Sequence, residues 1–153
     1  MTTLQLKIPP AVVFVICVVF MWLIKGFLPD YSMHVTGQKW VVYGCFTIGV
    51  IVGLVGVAQF AQKSTTVNPH RPENTSSLVM GGIYAISRNP MYLALLICLL
   101  AIALYWGNIF SLLIIPVFIL YMNEYQIKPE EEMMEQKFGQ KYLDYKKEVR
   151  RWL

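Results

Sequence analysis

The sequence predicts an all-α fold, a polytopic membrane protein of four transmembrane helices with an amphipathic helix at its C-terminal end, and three observations predict it. First, 56% of the 153 residues are apolar and only 14% are charged, where soluble domains carry about 25% charged residues; the mean hydropathy is +0.51. Second, the apolar residues gather into four runs close to the roughly 20 residues that cross about 30 Å of hydrocarbon as a helix. Third, charge is segregated: seven of the thirteen Lys/Arg and six of the nine Asp/Glu lie from Lys128 onward. A soluble core of this length has no room for so much apolar side chain. A soluble enzyme, a disordered chain and a nucleic-acid binder are thereby excluded, the last despite an isoelectric point near 9.0.

The length argues for a single domain, 1–153, with spans at 9–28, 40–61, 90–106 and 109–127 and a tail helix at 130–150. Backbone groups in lipid must bond within their own segment, so the spans are helices. The first opens like a signal peptide, with Lys7 ahead of an apolar run, but the run continues through Leu28 and no small-x-small cleavage site follows. It reads as a retained span. The second carries Gly49-x-x-x-Gly53, with Gly44 and Gly56 nearby, which lets another helix approach closely, within the chain or across a dimer. The third and fourth are separated only by Gly107-Asn108 and form a tight antiparallel hairpin; the fourth contains Pro116, with Asn123 and Glu124 near its end. Four spans put both termini and the 62–89 loop on one side, together with Lys7, Lys63, Arg71, Arg88 and the seven basic residues of the tail. The other side holds Lys39 and Lys25. Basic residues stay in the cytoplasm, so both termini are expected there. The Asn74-Thr75-Ser76 sequon is inert on that side. Cys17, Cys45 and Cys98 each sit in an apolar run without a partner at ligand spacing, so neither a disulfide framework nor a metal site is expected.

Two polar stretches exceed what a connector needs. The loop after the second span ends in Gly81-Gly82, which permits a tight bend, and in Asn89-Pro90, which reads as N-cap and first residue of the third helix. That helix start, beside Arg88, favours an anion, although Arg88 alone also suits lipid headgroups. In the tail, Pro129 is expected to break the fourth helix, and a new helix to begin at Glu130, Glu131 and Glu132. Met134, Phe138, Tyr142, Tyr145, Val149 and Trp152 fall on one apolar stripe, which composition alone lays in the membrane interface. The three acids need a cationic partner or serve only as a helix start; for a cation, Tyr84, Tyr92 and Tyr142 are candidate walls for a cation–π contact. A zwitterion with a carboxylate, a positive centre and an aromatic ring suits such a pocket, as S-adenosylmethionine does.

Residues 76–94, SSLVMGGIYAISRNPMYLA, and the tail PEEEMMEQKFGQKYLDYKKEVRRWL resemble the two sequence blocks of the isoprenylcysteine carboxyl methyltransferase family, within the broader group of integral-membrane phospholipid and isoprenylcysteine methyltransferases. The likeness covers roughly residues 64–153, with the blocks in the expected order around a helical hairpin, and it is closest to short prokaryotic members. It implies S-adenosylmethionine bound on the cytoplasmic side of a prokaryotic inner membrane, with a lipidic acceptor entering from the bilayer. By position, Ser76, Ser77, Leu78, Val79 and Tyr84 are implied as cofactor pocket wall, Asn89, Pro90, Met91 and Tyr92 as the third-span part of the site, and Glu130 as a cofactor contact. Arg88 and Glu131 complete the motifs and are implied as catalytic. Two departures stand out. Asn89 replaces the His of many members and is no acid or base near pH 7. Gln126 stands where carboxyl methyltransferases carry an Arg that holds the acceptor's carboxylate, which makes it the candidate substrate contact and puts a prenylcysteine substrate in question.

The implied function is methyl transfer from S-adenosylmethionine to a lipidic or small apolar acceptor: a carboxyl oxygen by resemblance, or alternatively a phospholipid amine or a thiol. Displacement at a sulfonium needs alignment and exclusion of water rather than a covalent enzyme intermediate. An amine acceptor also needs a base, for which Glu124 is a candidate unless it pairs with Lys128 at i+4. The rival of another class is a non-catalytic membrane scaffold or transporter subunit. The expected partners are therefore the bilayer and the acceptor, with neither nucleic acid nor metal.

Overall fold

The computed structural model of the chain describes residues 6–31, 36–62 and 77–153. All regular structure among them is helical. Six helices carry the fold: α1 (Pro10–Phe27), α2 (Gln38–Gln62), α3 (Pro90–Trp106), α4 (Ile114–Met122), α5 (Lys128–Phe138) and α6 (Gln140–Glu148), with short 3-10 turns at Pro29–Tyr31, Gly82–Ala85 and Ile109–Leu113. By length and composition, Pro10–Phe27, Gln38–Gln62 and the continuous Ile109–Phe138 suffice to cross a membrane, and Pro90–Trp106 is shorter and as apolar.

The central helix is α3. Pro90 occupies its first turn, where a missing N–H costs nothing, and Gly107 ends it with φ +67, a left-handed geometry that glycine adopts freely. Asn108 then turns the chain. It is buried, its Oδ1 accepts from the Phe110 amide at 3.0 Å, and its Nδ2 donates to Leu28 O at 2.6 Å. The Gly107-Asn108 hairpin is thus also tied to the end of α1. Tyr92, Leu99 and Ala103 of α3 pack with Val13, Cys17 and Met21 of α1 and with Phe118, Met122 and Ile127 beyond the hairpin.

Against the other side of α3 lies α2, through its glycines. A Cβ at Gly49 lies 2.6 Å from Cys98 Sγ and 3.2 Å from Ala94 O; one at Gly53 lies 3.2 Å from Ala94 Cβ, and one at Gly56 3.3 Å from Met91 Cγ. The small-residue face therefore packs within the chain, and Gly44, outside it, faces open space. Gly49→Val is expected to overpack this contact by about 2 kcal/mol, which lowers the melting temperature in detergent by roughly 4–8 °C; Gly44→Val leaves it unchanged. The opposite face of α2 exposes Tyr43, Phe46, Val50, Ile51, Leu54 and Val57. An apolar surface of that extent marks contact with lipid.

Three expectations are corrected. Pro129 does not break the fourth helix. The chain passes from α4 through a π turn, Asn123–Ile127, directly into α5. Proline removes the N–H that would bond Tyr125 O, and the Leu6 amide takes that carbonyl at 3.0 Å. Nor is the tail one helix over 130–150: it bends at Gly139, φ +55 and ψ −131, a conformation that only glycine takes cheaply. The apolar stripe does not lie on the surface either. Tyr142, Tyr145 and Val149 are buried with Met134 and Phe138 against Leu78 and Met80 of the loop. Trp152 instead joins the main core and donates from Nε1 to Asn123 Oδ1 at 3.1 Å.

Candidate active site

The end of the bundle carrying the start of α3 gathers most of the residues singled out above. The loop is anchored first. Gly82, at φ +61, lies so close to Gln59 that a Cβ there lies 2.1 Å from its Nε2. Gln59 Oε1 accepts from the Ile83 amide at 3.0 Å, and the Tyr84 hydroxyl donates to Gly56 O at 3.3 Å. The Tyr145 hydroxyl donates in turn to Tyr84 O at 2.6 Å, so α6 is fastened to the same turn. Burial pushes the Tyr145 phenol up to about 12, against the pull of Arg88. Because its ordinary value is about 10, this stabilisation is present below pH 10 and lost as pH rises toward 12. Tyr145→Phe is expected to cost about 1 kcal/mol at neutral pH and to remove its share of the alkaline fall in melting temperature.

Next comes the C-terminal strap. The Arg88 amide donates to Arg150 O at 3.0 Å, while Ser87 Oγ and Asn89 Nδ2 both donate to Arg151 O, at 3.2 and 3.0 Å. Asn89 thus occupies the N-cap position of α3 without capping it. Its side chain is committed to the strap, and its own amide bonds Ser87 Oγ at 3.2 Å.

Two carboxylates, neighbours in sequence, meet opposite surroundings. Glu131 is buried and pairs with Arg88 Nη2 at 3.0 Å, with Arg151 through a two-pronged contact at 2.8 Å on each oxygen, and with Lys146 at 3.6 Å. Lys146 also pairs with Glu135. In return, hydrogen bonding to Glu131 raises the Arg151 guanidinium above its ordinary value. Glu130 is partly buried and meets only neutral donors. The Tyr92 hydroxyl donates to its Oε1 at 2.6 Å and Gln126 Nε2 donates to the same oxygen at 2.8 Å, with Gln126 and Tyr92 themselves 3.5 Å apart. Among the described residues no cation pairs with Glu130.

The structure therefore brings Tyr92, Gln126 and Glu130 into one cluster and Arg88 and Glu131 into an adjacent one, with Asn89 and Pro90 between α3 and the strap. Leu78 packs against the tail, Val79 and Tyr84 are buried, and Ser77 and Met91 are half-buried. Ser76 lies outside the described residues, as do Lys63, Arg71 and the sequon. Glu124 is exposed and paired with Lys128 at i+4, away from the Glu130 cluster in its contacts. Gln59 and Arg151 were not anticipated. Gln59 carried no signal, whereas Arg151 had one: three acids in search of a cation, with four basic residues near the end of the same tail. Among the described residues no group of three His, Cys, Asp or Glu side chains is placed to hold a metal.

No solved structure matches the chain. An uncharacterized protein of Haemophilus influenzae is 51% identical over 63 residues, which is 41% of this chain and the whole of that protein. Residues 37–141, from the start of α2 into α6, match the phospholipid methyltransferase family. That stretch holds Glu130 with Tyr92 and Gln126, and Glu131 with Arg88, and it covers well over half of the sequence; the chain belongs to this methyltransferase family of integral-membrane proteins.

Proposed function

We propose that the protein is an S-adenosylmethionine-dependent methyltransferase that spans the membrane four times with both termini in the cytoplasm, and that its acceptor is a lipid amine. The observation that carries the reading is Glu130, a partly buried carboxylate held by Tyr92 and Gln126 with no cation beside it among the described residues. A carboxylate taken from water without a positive partner is costly, so a site of this kind calls for a positively charged ligand. The residues fit the cofactor: Glu130 suits its cationic centre, Tyr92 holds that carboxylate in place, and Arg88 lies at the same end of the bundle. When bound, S-adenosylmethionine supplies a methyl group on a positively charged sulfur.

The chain's own residues do the remaining work. Tyr92 and Gln126 hold the Glu130 carboxylate in one orientation, and the strap closes the loop over the start of α3, which excludes water. An amine acceptor must shed a proton. Glu130 would be the group that takes that proton before the amine nitrogen attacks, leaving the acceptor a free lone pair. The acceptor class is supported by Gln126, whose amide is committed to Glu130 and offers no cationic anchor for an acceptor carboxylate, and by the family's phospholipid description.

The test is incubation of the purified protein in nanodiscs with methyl-labelled S-adenosylmethionine and phosphatidylethanolamine. Label on the lipid nitrogen supports the reading. Label on a prenylcysteine carboxyl or a thiol instead overturns the acceptor class, and no calorimetric binding of S-adenosylmethionine or its demethylated product overturns the enzyme reading in favour of a scaffold.

A further inference from the structure

One stretch of the chain departs from α geometry just where the Glu130 cluster begins. The π turn Asn123–Ile127 is the single such turn among the described residues, and turns of this kind are rare and recur at functional sites. Its effect is rotational. Phe118, Met122, Gln126 and Glu130 lie four residues apart. Along an unbroken α-helix each such step overshoots a full turn by about 40°, so Glu130 would end about 120° round the axis from Phe118. A π turn takes in one residue without its share of rotation, which leaves that offset at about 20°. The four side chains then form one row. The observed contacts agree: Phe118 and Met122 are fully buried with Tyr92 in the main core, Gln126 is buried, and Gln126 and Glu130 both reach the hydroxyl of that same Tyr92. Glu130 meets Tyr92 because of the π turn.

Such a turn needs support from outside its own helix, and two distant segments supply it. The Leu6 amide donates to Tyr125 O at 3.0 Å. Trp152 Nε1 donates to Asn123 Oδ1 at 3.1 Å, on the residue that opens the turn. Packing does not require the second bond. The Trp152 ring sits against the main core, a place that Phe would also fill; what the indole adds is a single donor with a fixed direction. Trp152 also follows directly on Arg151, whose carbonyl holds Ser87 and Asn89 and whose guanidinium holds Glu131. One short segment therefore fastens both the head of α3 and the π turn.

We propose that Trp152 is a positioning residue of the Glu130 site: its N–H holds Asn123, and through Asn123 the π turn that sets Gln126 and Glu130 against Tyr92. It acts on a ligand through the register of the helix rather than by touching it. The proposal rests on the methyltransferase reading for the identity of that ligand, and on the π turn alone for its geometry.

Two measurements on the full-length protein test it. Trp152→Phe keeps the ring and removes the donor; Asn123→Leu removes the acceptor. In the first measurement, calorimetry compares S-adenosylmethionine with S-adenosylhomocysteine, because only the former carries charge on sulfur and so reports where the carboxylate stands. Each substitution is expected to lower the preference for S-adenosylmethionine by about three- to tenfold. The double variant is expected to lower it no further than either alone, since both act through one bond. The second measurement needs no ligand. The infrared carboxyl band of Glu130, assigned by its absence from Glu130→Gln, is expected to shift in Trp152→Phe as the bonds from Tyr92 and Gln126 lengthen. Should Trp152→Phe not fold, Asn123→Leu carries both measurements. Equal losses for the two ligands, or an unmoved carboxyl band, show that Trp152 only packs and overturn the proposal, whatever the fall in melting temperature. Failure of wild-type protein to bind either ligand strikes the methyltransferase reading instead, and the carboxyl band then decides the positioning role by itself.

Discussion

Glu130→Gln is expected to weaken S-adenosylmethionine binding by about thirtyfold while weakening S-adenosylhomocysteine far less. The two ligands differ by one methyl group and one positive charge on sulfur, so their difference isolates the charge. Two unit charges about 4 Å apart attract by about 4 kcal/mol at an effective dielectric of 20. Glu130 is only partly buried, and about half of that survives, near 2 kcal/mol. The amide keeps an acceptor oxygen for Tyr92 and Gln126 at the position now held by Oε1, so the local fold persists, and the melting temperature without ligand is expected to hold or rise slightly. Calorimetry in detergent reads both affinities. Equal losses for the two ligands mean that Glu130 contributes shape and hydrogen bonding only; no loss for either removes it from the site.

Arg151→Ala is expected to destabilise the protein as much as Gly49→Val does. It removes both hydrogen bonds to a buried carboxylate and leaves Glu131 to Arg88 and to a Lys146 that is shared with Glu135. Breaking a fully buried pair costs about 3–5 kcal/mol. With two cations remaining, about 2 kcal/mol is the expected loss, seen as a fall of roughly 4–8 °C in melting temperature. The carbonyl of residue 151 still receives Ser87 and Asn89, so the strap loosens rather than detaches, and trypsin cleavage after Lys146 and Lys147 is expected to accelerate. A variant that melts like wild type shows that Arg88 and Lys146 suffice to hold Glu131.

How far the sequence discloses this arrangement differs from helix to helix. The limits of α3 are written in local punctuation, Asn89-Pro90 at one end and Gly107 at the other; Pro90 and Gly107 act as residue chemistry predicts, while Asn89 marks the position but spends its side chain on Arg151 O instead of the cap. Pro129 follows the same rule and misleads, because the donor that satisfies the freed Tyr125 carbonyl comes from Leu6, over a hundred residues away. The tail stripe has the right period but carries no statement of what it faces: Leu78 and Met80, rather than the bilayer surface, cover it. In the site, Tyr92, Glu130 and Gln126 were each singled out by their positions in the resemblance, and the four-residue spacing of Gln126 and Glu130 already permits their hydrogen bond. The bond from Arg151 to Glu131 is less accessible. It depends on the bend at Gly139, a glycine whose backbone angles no local pattern specifies, and on the loop that α6 then meets.

The strap also sets an order of events during synthesis. Every span is translated before Arg151, so all can be in the bilayer while Glu131 still has only Lys146 and Arg88 within reach. The carbonyls of residues 150 and 151 arrive after all of these and draw Ser87, Arg88 and Asn89 together at the head of α3. Membrane insertion and closure of the strap are therefore separable steps: a nascent chain stalled after the fourth apolar run but before Arg150 has its spans in place while the head of α3 still lacks the carbonyls that draw it together.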